Sequence, residues 1–102
     1  MTSTARRTFL IQGRDYEWVA STDDNVHSFC YLRLDDGDFR VAAIKPNAEP
    51  GRPRWCLHWG PDEYTTDPSF PPSDHRYLLD CHDAVAKGIQ PYVEAHPETY
   101  PL

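Results

Sequence analysis

One stretch narrows the possible folds more than any other: Ser73–Gln90, SDHRYLLDCHDAVAKGIQ, reads as the chain's single helix. At about 100° per residue, Leu78, Cys81, His82, Val85, Ala86, Ile89 and Tyr92 share one arc, with Arg76, Asp80, Asp83, Lys87 and Gln90 opposite. An apolar stripe of this kind has to be covered, and the residues before it alternate with the short period of strands. The sequence therefore predicts a single α+β domain over residues 1–102. Its expected architecture is a five-stranded antiparallel meander sheet with one C-terminal helix packed on one face. Ser73 or Asp74 is the expected cap. Gly88 followed by Pro91, which removes the donor to Lys87, is expected to end or kink the helix.

The strands are expected at Arg7–Gln12, Asp15–Ser21, Ser28–Leu34, Phe39–Lys45 and Arg54–Trp59. Gly13-Arg14 suits a two-residue turn that sets Ile11 against Tyr16 and Phe9 against Trp18. Asp35-Asp36-Gly37-Asp38, with Asp-Gly at its centre, predicts a second hairpin. In that hairpin Leu34 faces Phe39, Leu32 faces Val41 and Cys30 faces Ala43 toward the core. Arg33 then faces Arg40, with Asp35 and Asp38 close enough to offset the repulsion. Alternation in the last strand puts Trp55, Leu57 and Trp59 on the core side and Arg54, Cys56 and His58 on the other. Thr22–Asn25, Pro46–Pro53 and Gly60–Pro72 read as surface loops, and Val93–Leu102 as a proline-punctuated tail.

Composition sets bounds on function. Ten Lys and Arg against sixteen Asp and Glu leave a net charge of −6, which disfavours a duplex-DNA binder and favours a basic partner. The charge is blocked: residues 15–38 hold seven acids against Arg33, and residues 59–102 hold eight against Arg76 and Lys87. Acidic patches are thus expected, with Asp23, Asp24, Asp35, Asp36, Asp38, Asp62, Glu63 and Asp67 as the candidate partner-binding residues. Three cysteines without framework spacing, and no export segment despite Arg6-Arg7, point to thiols in a reducing, cytoplasmic setting. The longest other apolar run, Val41–Ile44, is too short to span a bilayer, so no membrane role is expected.

Catalytic and metal chemistry find little footing. Cys56 with His58 and Cys81 with His82 bring zinc-ligand types, but the strand pair and the helix pair are expected on opposite sides of the sheet. Cys56 beside His58 lacks a third group to orient the imidazole as a base. The DDGD turn has neither the alternating ligands nor the late Glu of a calcium loop. No phosphate-loop, dinucleotide or nucleophile-elbow motif occurs, so no cofactor, no metal and no enzyme activity are expected.

One helix covers one sheet face, which leaves a second face carrying Phe29, Tyr31, Arg33, Arg40, Ile44 and Arg54. Tyr and Arg are enriched at interfaces, so this face is a candidate homodimer or partner contact unless a loop or the tail folds over it. The leading expectation is a small acidic, non-enzymatic binding or inhibitor protein that meets a basic protein surface, resembling in composition the inhibitors carried by phages and mobile elements. The alternative is single-stranded nucleic-acid binding through the aromatic and arginine face, which the acidic flanks weigh against.

Overall fold

A computed structural model describes residues 4–21, 28–62 and 64–101. The strands are β1 (Thr4–Ile11), β2 (Arg14–Ser21), β3 (Ser28–Leu34), β4 (Gly37–Pro46), β5 (Trp55–Trp59) and β6 (Ser73–His75), followed by the helix α1 (Leu78–Ala95). They form one antiparallel sheet in the order β1-β2-β3-β4-β5-β6, six strands rather than five. The sixth is the stretch expected to cap the helix. Ser73, Asp74 and His75 pair with Leu57, Cys56 and Trp55 and satisfy the edge of β5. The Asp74 carboxylate is held by Arg52 Nη2 at 2.8 Å and Asn47 Nδ2 at 3.1 Å, and Tyr77, the N-cap of α1, gives no side-chain cap.

Both hairpins differ in register from the expectation. Ile11 pairs with Arg14, so the first turn is Gln12-Gly13, whose φ values of 53° and 75° are those of a type I′ turn. Phe9 now faces Tyr16; the shift is an even number of residues, so Phe9 and Ile11 stay against the core. In the second hairpin Leu34 pairs with Gly37, which places Asp35-Asp36 at the turn and Arg33 opposite Asp38, not Arg40. The ladder then slips: Tyr31 pairs with Arg40 but Cys30 with Ala42, leaving Val41 as the extra residue of a β-bulge.

The bulge explains why Val41, Ala42, Ala43 and Ile44 are all buried. Strict alternation would send Ala42 and Ile44 outward with Arg40. With one residue added, both turn to the core and Ala43 turns away. Ile44, expected on the open face, is therefore a core residue.

Tyr16, Trp18, Leu32, Ile44 and Leu57 from the sheet meet Cys81, Val85, Ile89, Tyr92 and Val93 from α1. The helix runs through Pro91 to Ala95 because the proline ring lies on the exposed side while Tyr92 and Val93 are buried beyond it. Gly88 is no terminus; a Cβ there would lie 3.0 Å from Cζ2 of Trp59, so the glycine admits close approach of helix to sheet. The tail folds back, and Tyr100 is fully buried, with its Oη 3.1 Å from that of Tyr92 and donating to the Arg40 carbonyl at 2.8 Å. Phe70 packs on Trp59 and Tyr92. Phe70 of the 60–72 loop and Tyr100 of the tail thus join the helix side. No helix among the described residues is long and apolar enough to cross a membrane.

Candidate functional site

Two surfaces carry the candidate residues. The first is the end of the sheet formed by the β3–β4 turn. Asp35, Asp36 and Asp38 are exposed there, and none of their carboxylates enters an ion pair or side-chain hydrogen bond among the described residues. The chain leaves β5 where Gly60 N–H donates to the Val41 carbonyl, so Asp62 follows toward the same end, beside the first half of β4. Asp62 and Asp67 are committed locally. The Asp62 carboxylate accepts from the backbone N–H groups of Tyr64 and Thr65, at 2.8 and 2.7 Å. That of Asp67 accepts from Ser69 N–H and pairs with His96 Nε2, each at 2.8 Å. The Thr65 and Tyr64 N–H groups hold Asp62 below the usual carboxylate range, and the Ser69 N–H does the same for Asp67. Asp23, Asp24 and Glu63 lie outside the described residues.

The second surface is the sheet face away from α1. Phe29 and Tyr31 lie on it with ring centroids 6.5 Å apart, and the Arg40 guanidinium sits over Phe29, 5.2 Å from its centroid. Arg33 does not lean on Asp35 or Asp38; its Nη1 is 3.5 Å from Glu17, a carboxylate only 6% exposed in the middle of this face. Arg54 does not join the face either. It precedes β5, and its guanidinium lies 5.2 Å from the ring centroid of Trp55, a core residue.

Between β4 and β5 this face has a concavity of about 210 Å³ lined by Arg40, Ala43, Lys45, Cys56 and His58. Its origin is in the register: Ala43 pairs with both Phe29 and His58, and Lys45 pairs with Cys56, so one methyl group stands among large neighbours. Burial first, then the charges of Arg40 and Lys45, pushes the His58 imidazole down. Burial and Arg40 likewise lower Lys45. Burial, and then the Asp74 carboxylate, raises the Cys56 thiol. These directions are the reverse of those in a thiolate–imidazolium pair.

Cys81 is fully buried, its thiol pushed up to about 11 by burial and by Asp80. His82 stacks on Trp18 with ring centroids 4.3 Å apart and planes 8° from parallel. This pair packs on the helix side while Cys56 and His58 face the other way, and no group of three metal-ligating side chains converges among the described residues. The sequence reading missed Glu17 and Lys45 as members of the open face. An acid in the middle of a strand and a lysine at a strand end give no signal until cross-strand neighbours are known.

No protein-family model matches the chain, and neither a curated protein nor a solved structure is similar to it.

Proposed function

We propose that this is a non-enzymatic binding protein that engages a basic surface of a partner protein, of the kind nucleic-acid-handling proteins present, through the acidic end of its sheet. The observation that carries this reading is the β3–β4 turn, where three exposed carboxylates stand at the tip of a hairpin with no ion pair or side-chain hydrogen bond among the described residues. Unpaired rim charges speed encounter with an opposite surface and deter like-charged ones. The net charge of −6 extends the same field over the molecule.

The single-strand nucleic-acid reading ranks below it for a structural reason. Arg33 is engaged with Glu17, Arg40 covers the ring of Phe29 that a base would need, and Arg54 lies off the face. The test compares the wild type with an Asp35→Asn, Asp36→Asn, Asp38→Ser variant, first in capture from a lysate of the source organism and then in association kinetics with the captured protein. The variant is expected to associate about tenfold more slowly at low salt, the two rates converging as salt screens the charges. Equal rates at every salt concentration would remove the acidic end as the contact surface.

A further inference from the structure

The two edges of the sheet are closed to different degrees. β6 is three residues long and ends two residues before α1. β1 is eight residues long, with no proline, glycine or break in its ladder with β2, and its outer side pairs with no strand among the described residues. A long unbroken edge is a template for another strand. The turn determines which groups it offers. Ile11 and Arg14 flank the two-residue Gln12-Gly13 turn and so exchange both their hydrogen bonds, as do Phe9 with Tyr16 and Arg7 with Trp18. The N–H and C=O groups of Thr8 and Leu10 therefore point outward, and Leu10 is 68% exposed.

On the helix side a groove of about 300 Å³ lies between this edge and the first half of α1, with Phe9 and the 71% exposed Leu79 among its walls. Arg7 and Asp83 line it with opposite charges, and neither enters an ion pair or side-chain hydrogen bond among the described residues. A second copy meeting β1 antiparallel about a two-fold axis has few registers to choose from. An axis at Arg6 or Arg7 sets like charges directly opposite, which is destabilising. An axis at Phe9 keeps only residues 7–11 in register. An axis at Thr8 keeps residues 5–11: Thr8 faces Thr8, Arg6 faces Leu10, and Arg7 faces Phe9 of the second copy. Arg7 then stands at the groove in which the second copy carries Asp83.

We propose that this chain forms a homodimer by antiparallel pairing of β1 with β1 of a second copy about a two-fold axis at Thr8, which joins the two six-stranded sheets and brings each Arg7 to the Asp83 of the other copy. The occupant is a second copy because one sequence supplies both halves of the charge match, Arg7 on the strand and Asp83 in the groove, and the axis uses both twice. One strand and one groove make a contact below the roughly 800 Å² per partner of a standard interface, so the dimer is expected to be weak. This surface uses none of the residues of the acidic end and goes beyond that reading.

The experiment is sedimentation velocity of the full chain across a concentration series, with amide hydrogen exchange measured at both ends of it. Between about 10 µM and about 1 mM the chain is expected to pass from monomer to dimer, with a dissociation constant of about 0.1 mM. Exchange of the Thr8 and Leu10 amides is expected to slow about fivefold at the high end, while the Arg7 and Phe9 amides, already bonded to β2, change least. Thr8→Pro, tolerated where an edge N–H points outward, is expected to stay monomeric. Asp83→Arg is expected to weaken the dimer about tenfold, and adding Arg7→Asp to restore it. Thermal melts check that each variant folds. The dimer assignment is overturned by a wild type that stays monomeric at the highest concentration with both amides exposed, which would leave the edge to a strand of another protein. It is equally overturned by Thr8 and Leu10 amides already protected in the monomer, since another segment of the chain would then cover the edge. A dimer in which these amides stay unprotected, a folded Thr8→Pro variant that still dimerises, or a double variant no tighter than Asp83→Arg would also overturn it.

Discussion

The two faces of this sheet are made by the same strands and ended up in opposite states. Under α1, side chains from β2 to β5 close on the helix, and the Tyr92 and Tyr100 hydroxyls, one against the other, pass a hydrogen bond on to the Arg40 carbonyl. On the other face the exposed Arg33 is paired with the nearly enclosed Glu17, and the Arg40 guanidinium lies over the Phe29 ring. The first face buries rings and aliphatic side chains; the second carries the charged groups, Glu17 paired with Arg33 among them. The difference teaches that apolar content alone does not separate a core from a contact surface. Charge does: the helix side packs rings and aliphatic side chains, whereas the open face sets its rings among Glu17, Arg33, Arg40 and Lys45.

Mutations on the two faces should therefore separate by size of effect. Leu32→Ala and Ile44→Ala are each expected to cost about 2–5 kcal/mol, since both side chains are fully enclosed under α1 and leave a cavity. Tyr31→Ala on the open face is expected to cost less than about 1 kcal/mol. Denaturant midpoints measure both. An Ile44 variant as mild as the Tyr31 variant would return Ile44 to the open face and break the bulge assignment.

Tyr100→Phe comes next, because it strips a donor from the Arg40 carbonyl and a partner from Tyr92 while keeping the ring. A loss of about 1–3 kcal/mol is expected, read from the same denaturation curves. No change would mean that the tail does not anchor the backbone of Arg40.

A smaller effect follows acidification. Burial depresses His58 on the open face and His82 on the helix side, so both are neutral when folded and gain protons more readily when unfolded. The stability each contributes is complete above the ordinary histidine value of about 6.5 and falls as pH drops from there toward the lower folded values. Asp62, Asp67 and Asp74 are also depressed, so their contribution holds above about 3.9 and is lost as pH falls through their folded values. Thermal melts across this range should show two descents. His82→Phe, which retains a ring against Trp18, should shrink the upper one; an unchanged curve would assign that descent to the open face alone.

Much of the covered face was legible in the sequence because it obeys simple periods. Trp55, Leu57 and Trp59 alternate, and Cys81, Val85, Ile89 and Tyr92 recur at helical spacing, so burial could be read without neighbours. What escaped had no local signature. Ser73-Asp74-His75 has cap chemistry and becomes a strand only because β5 offers an unsatisfied edge. Pro91 reads as a terminus, yet burial of Tyr92 and Val93 carries the helix past it. The open face suffered most: one bulge exchanged Ile44 for Ala43, and the concavity exists only because that alanine meets larger residues across two strands.

The bulge at Val41 also sets where the chain can change length. Deleting Val41 alone would seat Ala42 directly after Arg40, restoring an unbroken ladder against Tyr31 and Cys30. Phe39, Ala42 and Ile44 would all remain under α1, for the loss of one buried isopropyl group and of the carbonyl that accepts from Gly60 N–H. Deleting a residue inside β5 has no such escape, since it would swing part of the Trp55, Leu57 and Trp59 set out into solvent and draw Cys56 or His58 in beneath the helix. For a lineage accumulating insertions and deletions, the middle of β4 is then a place where a one-codon deletion leaves both faces in phase.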